Sequence, residues 1–356
     1  MRNIFFIMPA MSGGGAERVT SVLANHFVEQ ADVTFFLVEK NVVEYDLDPR
    51  IHIDTSAIKG KTGISKRLQK LVDIRKLMKE NPDAVFISFL SNENLFTALA
   101  ATGLNVRVIL SERNDPYQTI GNGLKKVITN WLYGKKQCKV VVFQTDGARG
   151  FYSKKIQRKG VIIFNPLKAD LPEHFIGERR KSIVSLARLE PQKNYPMLLK
   201  AFQMFHSSHA EYTLDIYGKG PEEESLKKLT SALGIDSYVN FHGFQNDVHT
   251  KICDASMFVL SSDYEGLSNA MIEAMAIGLP CVCTDCSPGG ARMMIQTAVN
   301  GILVPVNDAS AMEMAMSQIA EDSAFAEKLS QNAVRVRTDL SVDVIAKKWK
   351  ELIANI

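Results

Sequence analysis

The chain has 356 residues, 46% of them hydrophobic, and a formal net charge of +3. This length exceeds what one hydrophobic core usually supports, so we expect two domains of roughly 150 to 180 residues. The composition is ordinary for a soluble globular protein, and no apolar run approaches the roughly 18 residues that would span a bilayer. We therefore expect a soluble or peripheral protein.

The charge is distributed unevenly along the chain. Residues 1–170 carry 25 Lys and Arg against 16 Asp and Glu, which gives +9, and the remainder carries 17 against 23, which gives −6. A basic half of this kind indicates an anionic partner, either nucleic acid or a membrane.

The five cysteines form an odd number in a long chain, and the opening apolar run 4–10 is too short for a signal peptide. Reduced thiols and a cytoplasmic location are therefore expected. The cluster Cys281, Cys283 and Cys286 could suggest a metal site, but a fourth ligand would have to come from a distant segment. Because these residues continue a strand-like run, we predict buried thiols.

Short apolar runs alternate with amphipathic helical patterns along the whole chain. The runs of the first half are 3–8, 33–38, 84–89, 106–111 and 140–144. After 160–166 the pattern restarts, with runs at 182–187, 212–217, 239–243, 257–261 and 281–284. Val- and Ile-rich strands joined by helices predict parallel sheets covered on both faces. The predicted fold class is therefore α/β, with two doubly wound, Rossmann-like domains.

The predicted domains are 1–167 and 182–340, joined by a charged linker at 168–181 that contains a proline. A last helix, 341–356, is expected to pack back toward the N-terminal domain. In open parallel sheets, ligands bind beyond the carboxyl ends of the strands. We therefore expect the two domains to face each other across a cleft that holds the functional site.

A glycine loop, Gly13 to Gly15, separates the first predicted strand from the first helix. Such a loop is a candidate cradle for a phosphate or a substrate. A dinucleotide fingerprint is disfavoured, because Arg18 stands where its third glycine should allow close helix packing. Asp46 and Asp48 have the Asp-x-Asp spacing of some metal-dependent transferases, but in a polar loop a solvated acidic pair is expected.

Two basic stretches explain the charge of the first half. Segment 59–80 holds eight Lys or Arg, and segment 124–139 holds further lysines. Apolar residues are predicted to line one helical stripe in each segment. In the first segment these are Ile64, Leu68, Leu71, Val72 and Met78. In the second they are Leu124, Val127, Ile128, Trp131 and Leu132. Either stripe alone would indicate a core-facing helix with a solvated basic face. Together they suggest docking to anionic lipid or to a lipid diphosphate, and no recognition motif supports nucleic acid.

Two cations, Arg188 and Lys193, lie in a loop at the carboxyl end of the first strand of the second half. They could neutralise a leaving diphosphate, or they could form an ordinary surface pair. Gly218 lies in a second glycine-rich strand-to-loop turn, and Phe244 or its backbone in a third turn could face a nucleobase.

Segment 262–273 runs from a polar loop into an apolar helical pattern. Gly266 permits close backbone approach, and Ser268 or Asn269 can cap the helix, whose first amides favour an anion such as a diphosphate. Glu265 and Glu273 would instead serve hydroxyl groups, because an acid repels a phosphate. Together these features indicate a sugar nucleotide.

The acid-x7-acid spacing of Glu265 and Glu273 resembles that of the retaining family-four glycosyltransferases of GT-B fold, the glycosyl transferases group 1. The resemblance extends to Gly-Gly-Ala-Glu-Arg at 14–18, the Arg-Leu…Lys-Asn loop at 188–194 and Gly-Leu-Pro at 278–280, and it covers the whole chain. Within the family the chain looks most like bacterial enzymes that extend lipid-linked oligosaccharides or polysaccharides, such as the GalNAc transferase of N-glycosylation.

The resemblance implies that Arg188 and Lys193 hold the donor diphosphate. It assigns Glu273 to the ribose hydroxyls and Glu265 to the transferred sugar. The backbone amides that would complete the phosphate cradle belong to Gly14, Gly15, Gly266, Leu267, Ser268 and Asn269. No metal and no further cofactor is expected. Arg113 departs from the pattern, because many relatives have a histidine there, and it could contact the sugar, the phosphate or the acceptor.

The function expected from the resemblance is transfer of GalNAc, GlcNAc, Gal or Glc from a UDP-sugar, with GDP or ADP as alternative nucleotides. The acceptor would be a lipid-diphosphate-linked glycan used in polysaccharide or glycan assembly, and the enzyme would work at the inner face of the cell membrane. A sugar-nucleotide epimerase or a phosphorylase on the same plan is the first alternative, and a non-catalytic nucleotide-binding protein is the second.

Overall fold

The computed structural model describes residues 3–56 and 61–356. The chain divides into two compact units, of which the first comprises Met1–Pro166 with Val342–Ile356 and the second Leu167–Ser341. Each unit contains one parallel sheet with helices between its strands, so the predicted α/β fold class is confirmed.

The sheet of the first unit has the strand order β3-β2-β1-β4-β5-β6-β7 within the described residues, and every pairing is parallel. The core of this order, 3-2-1-4-5-6, is that of a doubly wound nucleotide-binding fold. The strands are β1 (Ile4–Met8), β2 (Val33–Leu37), β3 (His52–Thr55), β4 (Val85–Phe89), β5 (Arg107–Ser111), β6 (Cys138–Phe143) and β7 (Gly160–Ile162).

The helices of the first unit cover this sheet. They are α1 (Gly15–Phe27), α2 (Gly63–Glu80), α3 (Ser91–Ala101), α4 (Pro116–Thr119), α5 (Leu124–Tyr133), α6 (Asp146–Gly150) and α7 (Lys154–Gln157), and the last helix of the chain, α16 (Val342–Ala354), joins them. Helix α16 packs on α1, and its fully buried Trp349 stacks on Phe89 at the end of β4, with ring centroids 5.8 Å apart. Burial of this indole fixes α16 to the first unit.

The second unit contains a parallel sheet of order β10-β9-β8-β11-β12-β13. The strands are β8 (Arg180–Leu186), β9 (Thr213–Tyr217), β10 (Val239–Gly243), β11 (Ala255–Leu260), β12 (Cys281–Thr284) and β13 (Ile302–Val304). The helices are α8 (Tyr195–His206), α9 (Glu223–Ala232), α10 (Val248–Ile252), α11 (Asn269–Ala276), α12 (Gly290–Met294), α13 (Ala309–Glu321), α14 (Ser323–Ala333) and α15 (Val336–Asp339).

The predicted linker 168–181 extends too far, because β8 begins at Arg180. The guanidinium of Arg180 pairs with Asp215 at 3.2 Å and with Asp254 at 3.3 Å, so a charged residue starts the strand without being left unpaired. A charge pattern alone therefore places the end of this linker two residues late.

Candidate active site

The loop after β8 separates the two predicted cations. Arg188 is exposed, and its Nη1 donates to Glu190 Oε1 at 2.8 Å. Its role at the diphosphate stays a prediction. Lys193 lies in a 3₁₀ turn, Pro191–Lys193, and is buried. The turn ends at Asn194, whose backbone is left-handed with φ of 46° and whose side chain caps α8 by accepting from the Met197 amide.

The ammonium group of Lys193 donates to the Glu265 carboxylate. The Lys193 side chain is 10% exposed and that of Glu265 is 19% exposed, so the pair lies at the edge of solvent. Ser262 Oγ also contacts Glu265 Oε2, at 3.4 Å. The structure therefore brings together one residue predicted for the diphosphate and one predicted for the sugar, which the sequence places 72 positions apart.

Hydrogen bonds to backbone carbonyls hold the loop after β8 against the loop after β11. The Asp263 amide donates to Gln192 O at 2.9 Å, and Gln192 Nε2 donates to Tyr264 O at 2.8 Å. Ser261 Oγ donates to Lys193 O at 2.8 Å. These contacts hold the two loops that carry Lys193 and Glu265 together, and such preorganisation is what electrostatic stabilisation of a transition state requires.

The second predicted feature, a helix N-terminus, begins directly after this loop. Ser268 is the N-cap of α11, and its Oγ accepts from the Met271 amide at 3.3 Å. Gly266 is buried and lies against Gly290. A methyl group added at Gly290 would fall 1.6 Å from the Gly266 carbonyl oxygen. The start of α11 carries about half a positive charge, and it follows the Lys193–Glu265 pair by only a few residues.

Glu273 lies in the second turn of α11 and is buried. His249 Nε2 lies 2.8 Å from Glu273 Oε2. The His249 side chain is 10% exposed and that of Glu273 is 8% exposed, so both are largely buried. The resemblance assigns Glu273 to a ribose, and no sequence pattern pointed to His249. A single histidine after β10 does not predict a functional site by itself, because its partner, Glu273, lies on another helix.

The glycine-rich turns after β9 and β10 complete this edge of the second sheet. The backbone of Gly218, with φ of 137°, lies against the loop after β8, and a side chain there would meet Ala187 O at 1.9 Å. Its amide donates to Gly243 O at 2.8 Å. Phe244 follows β10 and is 68% exposed. All second-unit residues predicted for the site therefore lie in loops or on the helix that follow the carboxyl ends of the strands.

The glycine loop of the first unit lies beside a carboxylate, whereas the loop after β8 contains a buried cation. Gly14 is the N-cap of α1, its carbonyl accepts from the Tyr45 hydroxyl at 2.7 Å, and the Glu17 carboxylate lies beside it. Burial, reinforced by Glu17, raises the pKa of Tyr45 to about 12. A carboxylate at this place disfavours a phosphate and suits a hydroxyl group. The phosphate role of Gly14 and Gly15 stays a prediction.

Arg113 follows β5, where aromatic and polar groups hold its guanidinium. Nε donates to Ser111 Oγ at 2.7 Å, and Nη1 donates to Asn165 Oδ1 at 2.8 Å. The guanidinium carbon lies 4.6 Å from the Phe89 ring centroid and 5.7 Å from that of Trp349. Burial lowers the pKa of Arg113 to about 9, which leaves the group charged at neutral pH.

No metal cluster is found in the part of the chain that the structure describes, where no three His, Cys, Asp or Glu residues converge. The three clustered cysteines Cys281, Cys283 and Cys286 are free and buried, and burial raises the pKa of each of these thiols. Within the same described residues, no helix is long and apolar enough to cross a bilayer.

The two basic helices of the first unit differ from each other. The stripe predicted on α2 is buried at one end only, because Met78 is buried while Ile64, Leu68 and Val72 are exposed. Lys70 of this helix is also buried, and its Nζ forms an ion pair with Glu93 Oε1 at 2.8 Å. Positions 59 and 60 of the predicted segment lie outside the described residues.

Helix α5 exposes most of its apolar stripe. Leu124 is 75%, Val127 65% and Trp131 57% exposed, whereas Leu132 is buried. Lys135 Nζ lies 3.5 Å from the Trp131 ring centroid. The core-facing interpretation is therefore wrong for this stripe, which forms an apolar surface bordered by lysines.

Comparisons with known proteins agree with this architecture. The model of the family described as glycosyl transferases group 1 matches residues 168–336. An uncharacterized glycosyltransferase of Haemophilus influenzae is 31% identical over 358 residues, covering 98% of this chain and 99% of the relative. A Campylobacter jejuni enzyme named GalNAc-alpha-(1->4)-GalNAc-alpha-(1->3)-diNAcBac-PP-undecaprenol alpha-1,4-N-acetyl-D-galactosaminyltransferase is 28% identical, covering 100% of this chain and 99% of the relative.

Among solved structures, Anabaena HepE in complex with UDP and glucose superposes with a TM-score of 0.86 at 16% identity, and the match covers 100% of both chains. This likeness concerns the fold, which is GT-B. The chain belongs to the glycosyl transferases group 1 and is a transferase enzyme. The predicted resemblance is thereby confirmed.

Proposed function

We propose that the chain is a retaining glycosyltransferase that moves a sugar from a UDP-sugar to a glycan acceptor linked to a lipid diphosphate. The observation that carries the proposal is the Lys193–Glu265 pair beside the N-terminus of α11. A cation and helix amides suit a diphosphate, and a carboxylate suits the hydroxyl groups of the attached sugar. The Anabaena structures solved with UDP and with UDP-glucose support this choice of nucleotide.

The names of two Campylobacter jejuni relatives support the proposed acceptor. Both are N-acetylgalactosaminyltransferases whose names contain an undecaprenol carrier joined through a diphosphate. GalNAc is therefore the first sugar to test, followed by GlcNAc, Gal and Glc. Hexose epimers differ in the orientation of one hydroxyl group, so a comparison of donors is needed to choose among them.

In the proposed reaction, the bond between the anomeric carbon and the diphosphate breaks, and negative charge builds on the β-phosphate. Lys193, Arg188 and the first amides of α11 stabilise that charge. The acceptor hydroxyl attacks from the face that the diphosphate leaves, and its proton passes to the departing phosphate. No enzymic nucleophile and no metal is required, and the anomeric configuration is retained.

We assign two further groups to the substrates. Glu273 would bind the ribose hydroxyls, and Arg113 would bind an oxygen of the sugar, a phosphate or the acceptor. The assignment of Arg113 is supported by its rigid setting on Phe89, and by Nη2, which has no hydrogen-bond partner among the residues that the structure describes. A buried donor of this kind is stabilised by a ligand oxygen.

The first experiment identifies the donor and the stereochemistry. Nucleotide sugars are screened for thermal stabilisation, because a ligand at a hundred times its Kd adds about 2.7 kcal/mol to the free energy of unfolding. The best α-linked donor is then incubated with a polyprenyl-diphosphate-linked glycan, and NMR should show an α-linked product that also forms in EDTA. A β-linked product contradicts retention, and conversion of the donor to its epimer without acceptor indicates an epimerase instead.

We also propose that the enzyme meets its acceptor at an anionic membrane surface through α5. An apolar stripe bordered by lysines can insert between lipid headgroups while its ammonium groups pair with phosphates. Lys125, Lys126, Lys135 and Lys136 supply the charge. Helix α2, which exposes Ile64, Leu68 and Val72, is a second candidate for insertion.

Replacing both Leu124 and Trp131 by serine should lower binding to vesicles of phosphatidylcholine and phosphatidylglycerol by at least about tenfold. Burial of one such side chain is worth about 1.5–3 kcal/mol, and about 1.4 kcal/mol corresponds to a factor of ten. Met314→Ser is the matched control, because Met314 is 66% exposed on the second unit. Vesicle sedimentation measures the binding of the double variant and of the control. Equal binding of these two proteins would contradict a role for α5.

A further inference from the structure

His249 is buried and contacts the carboxylate that the proposed function places at the donor ribose. Its Nε2 lies 2.8 Å from Glu273 Oε2. The histidine belongs to α10, which follows the loop after β10, and the glutamate belongs to α11. Two helices of the second unit are therefore joined at this carboxylate, and the contact plays no part in the reaction proposed above.

Helix geometry indicates where the Glu273 carboxylate points. Residues four apart lie on one face of a helix, so Glu273 shares a face with Asn269 in the first turn of α11. Side chains on a helix tilt toward its N-terminus. The carboxylate is thus directed toward the end of α11 that is proposed to hold the diphosphate, and in a nucleoside diphosphate the ribose is the next group along.

We infer that His249 is a positioning residue, which holds the Glu273 carboxylate in the orientation that accepts hydrogen bonds from the ribose hydroxyls. This inference rests on the proposed function. A glutamate has three side-chain torsions, and a fixed partner on one oxygen restricts them, so the carboxylate keeps one orientation. Without His249 the carboxylate would lose a buried hydrogen bond and its orientation, so nucleotide binding would weaken where the ribose hydroxyls are involved.

The test compares UDP with 2′,3′-dideoxy-UDP, which keeps the base and the diphosphate but lacks both ribose hydroxyls. The variants are His249→Leu, which removes the donor, His249→Asn, which is polar but too short to place a donor at Nε2, and His249→Gln, whose amide nitrogen reaches about that position. Calorimetry gives the Kd of each nucleotide, and circular dichroism with thermal melting shows that each variant is folded.

We expect wild type to bind UDP at least about tenfold more tightly than the dideoxy nucleotide. The Leu and Asn variants should lose about tenfold in UDP affinity and less than about twofold for dideoxy-UDP, and the Gln variant should recover most of the loss. A purely structural role would weaken both nucleotides alike.

Four results would overturn the inference. If the Leu and Asn variants lose equal affinity for the two nucleotides, or lose none, the positioning role of His249 is refuted. The proposed function then remains intact. Wild type that binds both nucleotides equally refutes the ribose role of Glu273, and with it the inference. Wild type that binds no nucleotide refutes the proposed function itself. If His249→Leu does not fold, the contrast between the Asn and Gln variants decides alone.

Discussion

Replacing Lys193 by alanine should lower kcat by about 10²–10³-fold, because loss of one preorganised group that stabilises developing charge has an effect of this size. The substitution removes the buried cation proposed to face the leaving diphosphate. It also leaves the Glu265 carboxylate without its ammonium partner, so a negative charge would remain beside a negatively charged substrate. The affinity for UDP should fall for the same reason.

Steady-state kinetics with the donor found by thermal screening measures this effect, and calorimetry gives the Kd of UDP. Lys200→Ala is the matched control, because Lys200 is an exposed lysine on α8, the helix that begins just after Lys193. The control should keep the wild-type rate. Near-normal turnover of a folded Lys193→Ala protein would contradict the assigned role.

Glu265→Gln should lower kcat by about 10²-fold or more, while the Kd of UDP changes by less than about threefold. The amide keeps the shape of the side chain, but it cannot accept hydrogen bonds from the sugar hydroxyls as a carboxylate does. UDP lacks the transferred sugar that Glu265 is proposed to bind, so its affinity should change little. Lys193→Ala and Glu265→Gln are thus distinguished by their effects on UDP.

Glu224→Gln is the matched control for this second variant, because Glu224 is 82% exposed on α9 of the same unit. The double variant of Lys193 and Glu265 adds a further test. If the two residues act as a pair, its rate should be close to that of the worse single variant, since contacting residues are not additive. A loss of UDP affinity in Glu265→Gln as large as in Lys193→Ala would show that Glu265 is not specific for the sugar.

Most strands of both sheets could be predicted from the sequence, because a parallel strand covered on both faces is a nearly continuous apolar run. Strands β10 (Val239–Gly243) and β12 (Cys281–Thr284) match their predicted bounds, and the other predicted strands differ at an end by one or two residues. The parallel pairing of the strands in each sheet then follows from the helical crossovers between them.

Strands β3, β7 and β13 were missed, and the reason is physical. All four residues of β3, His52–Thr55, are exposed at the edge of the first sheet, so they carry no apolar run. Strands β7 and β13 have three residues each and also lie at sheet edges. An edge strand is specified by its hydrogen bonds to one neighbour, and these leave little trace in composition.

The residues of the candidate site could be found from the sequence, but their pairings could not. Glycine turns, caps and acids after strands are local features, and they correctly placed Lys193 and Glu265 at the carboxyl edge of the second sheet. The contacts of Lys193 with Glu265 and of His249 with Glu273 join segments that only the fold brings together. The exposure of α5 was hidden for the same reason, because an amphipathic pattern does not tell which face is covered.

The structure of a crystal soaked with UDP would test the central claim most directly, namely that the second unit grips a pyrophosphate between Lys193 and the start of α11. The account predicts the β-phosphate within hydrogen-bonding distance of Lys193 Nζ and of an amide in segment 266–269, with the ribose hydroxyls on Glu273. A UDP molecule bound elsewhere, or bound with Lys193 and Glu273 directed away from it, would contradict the account.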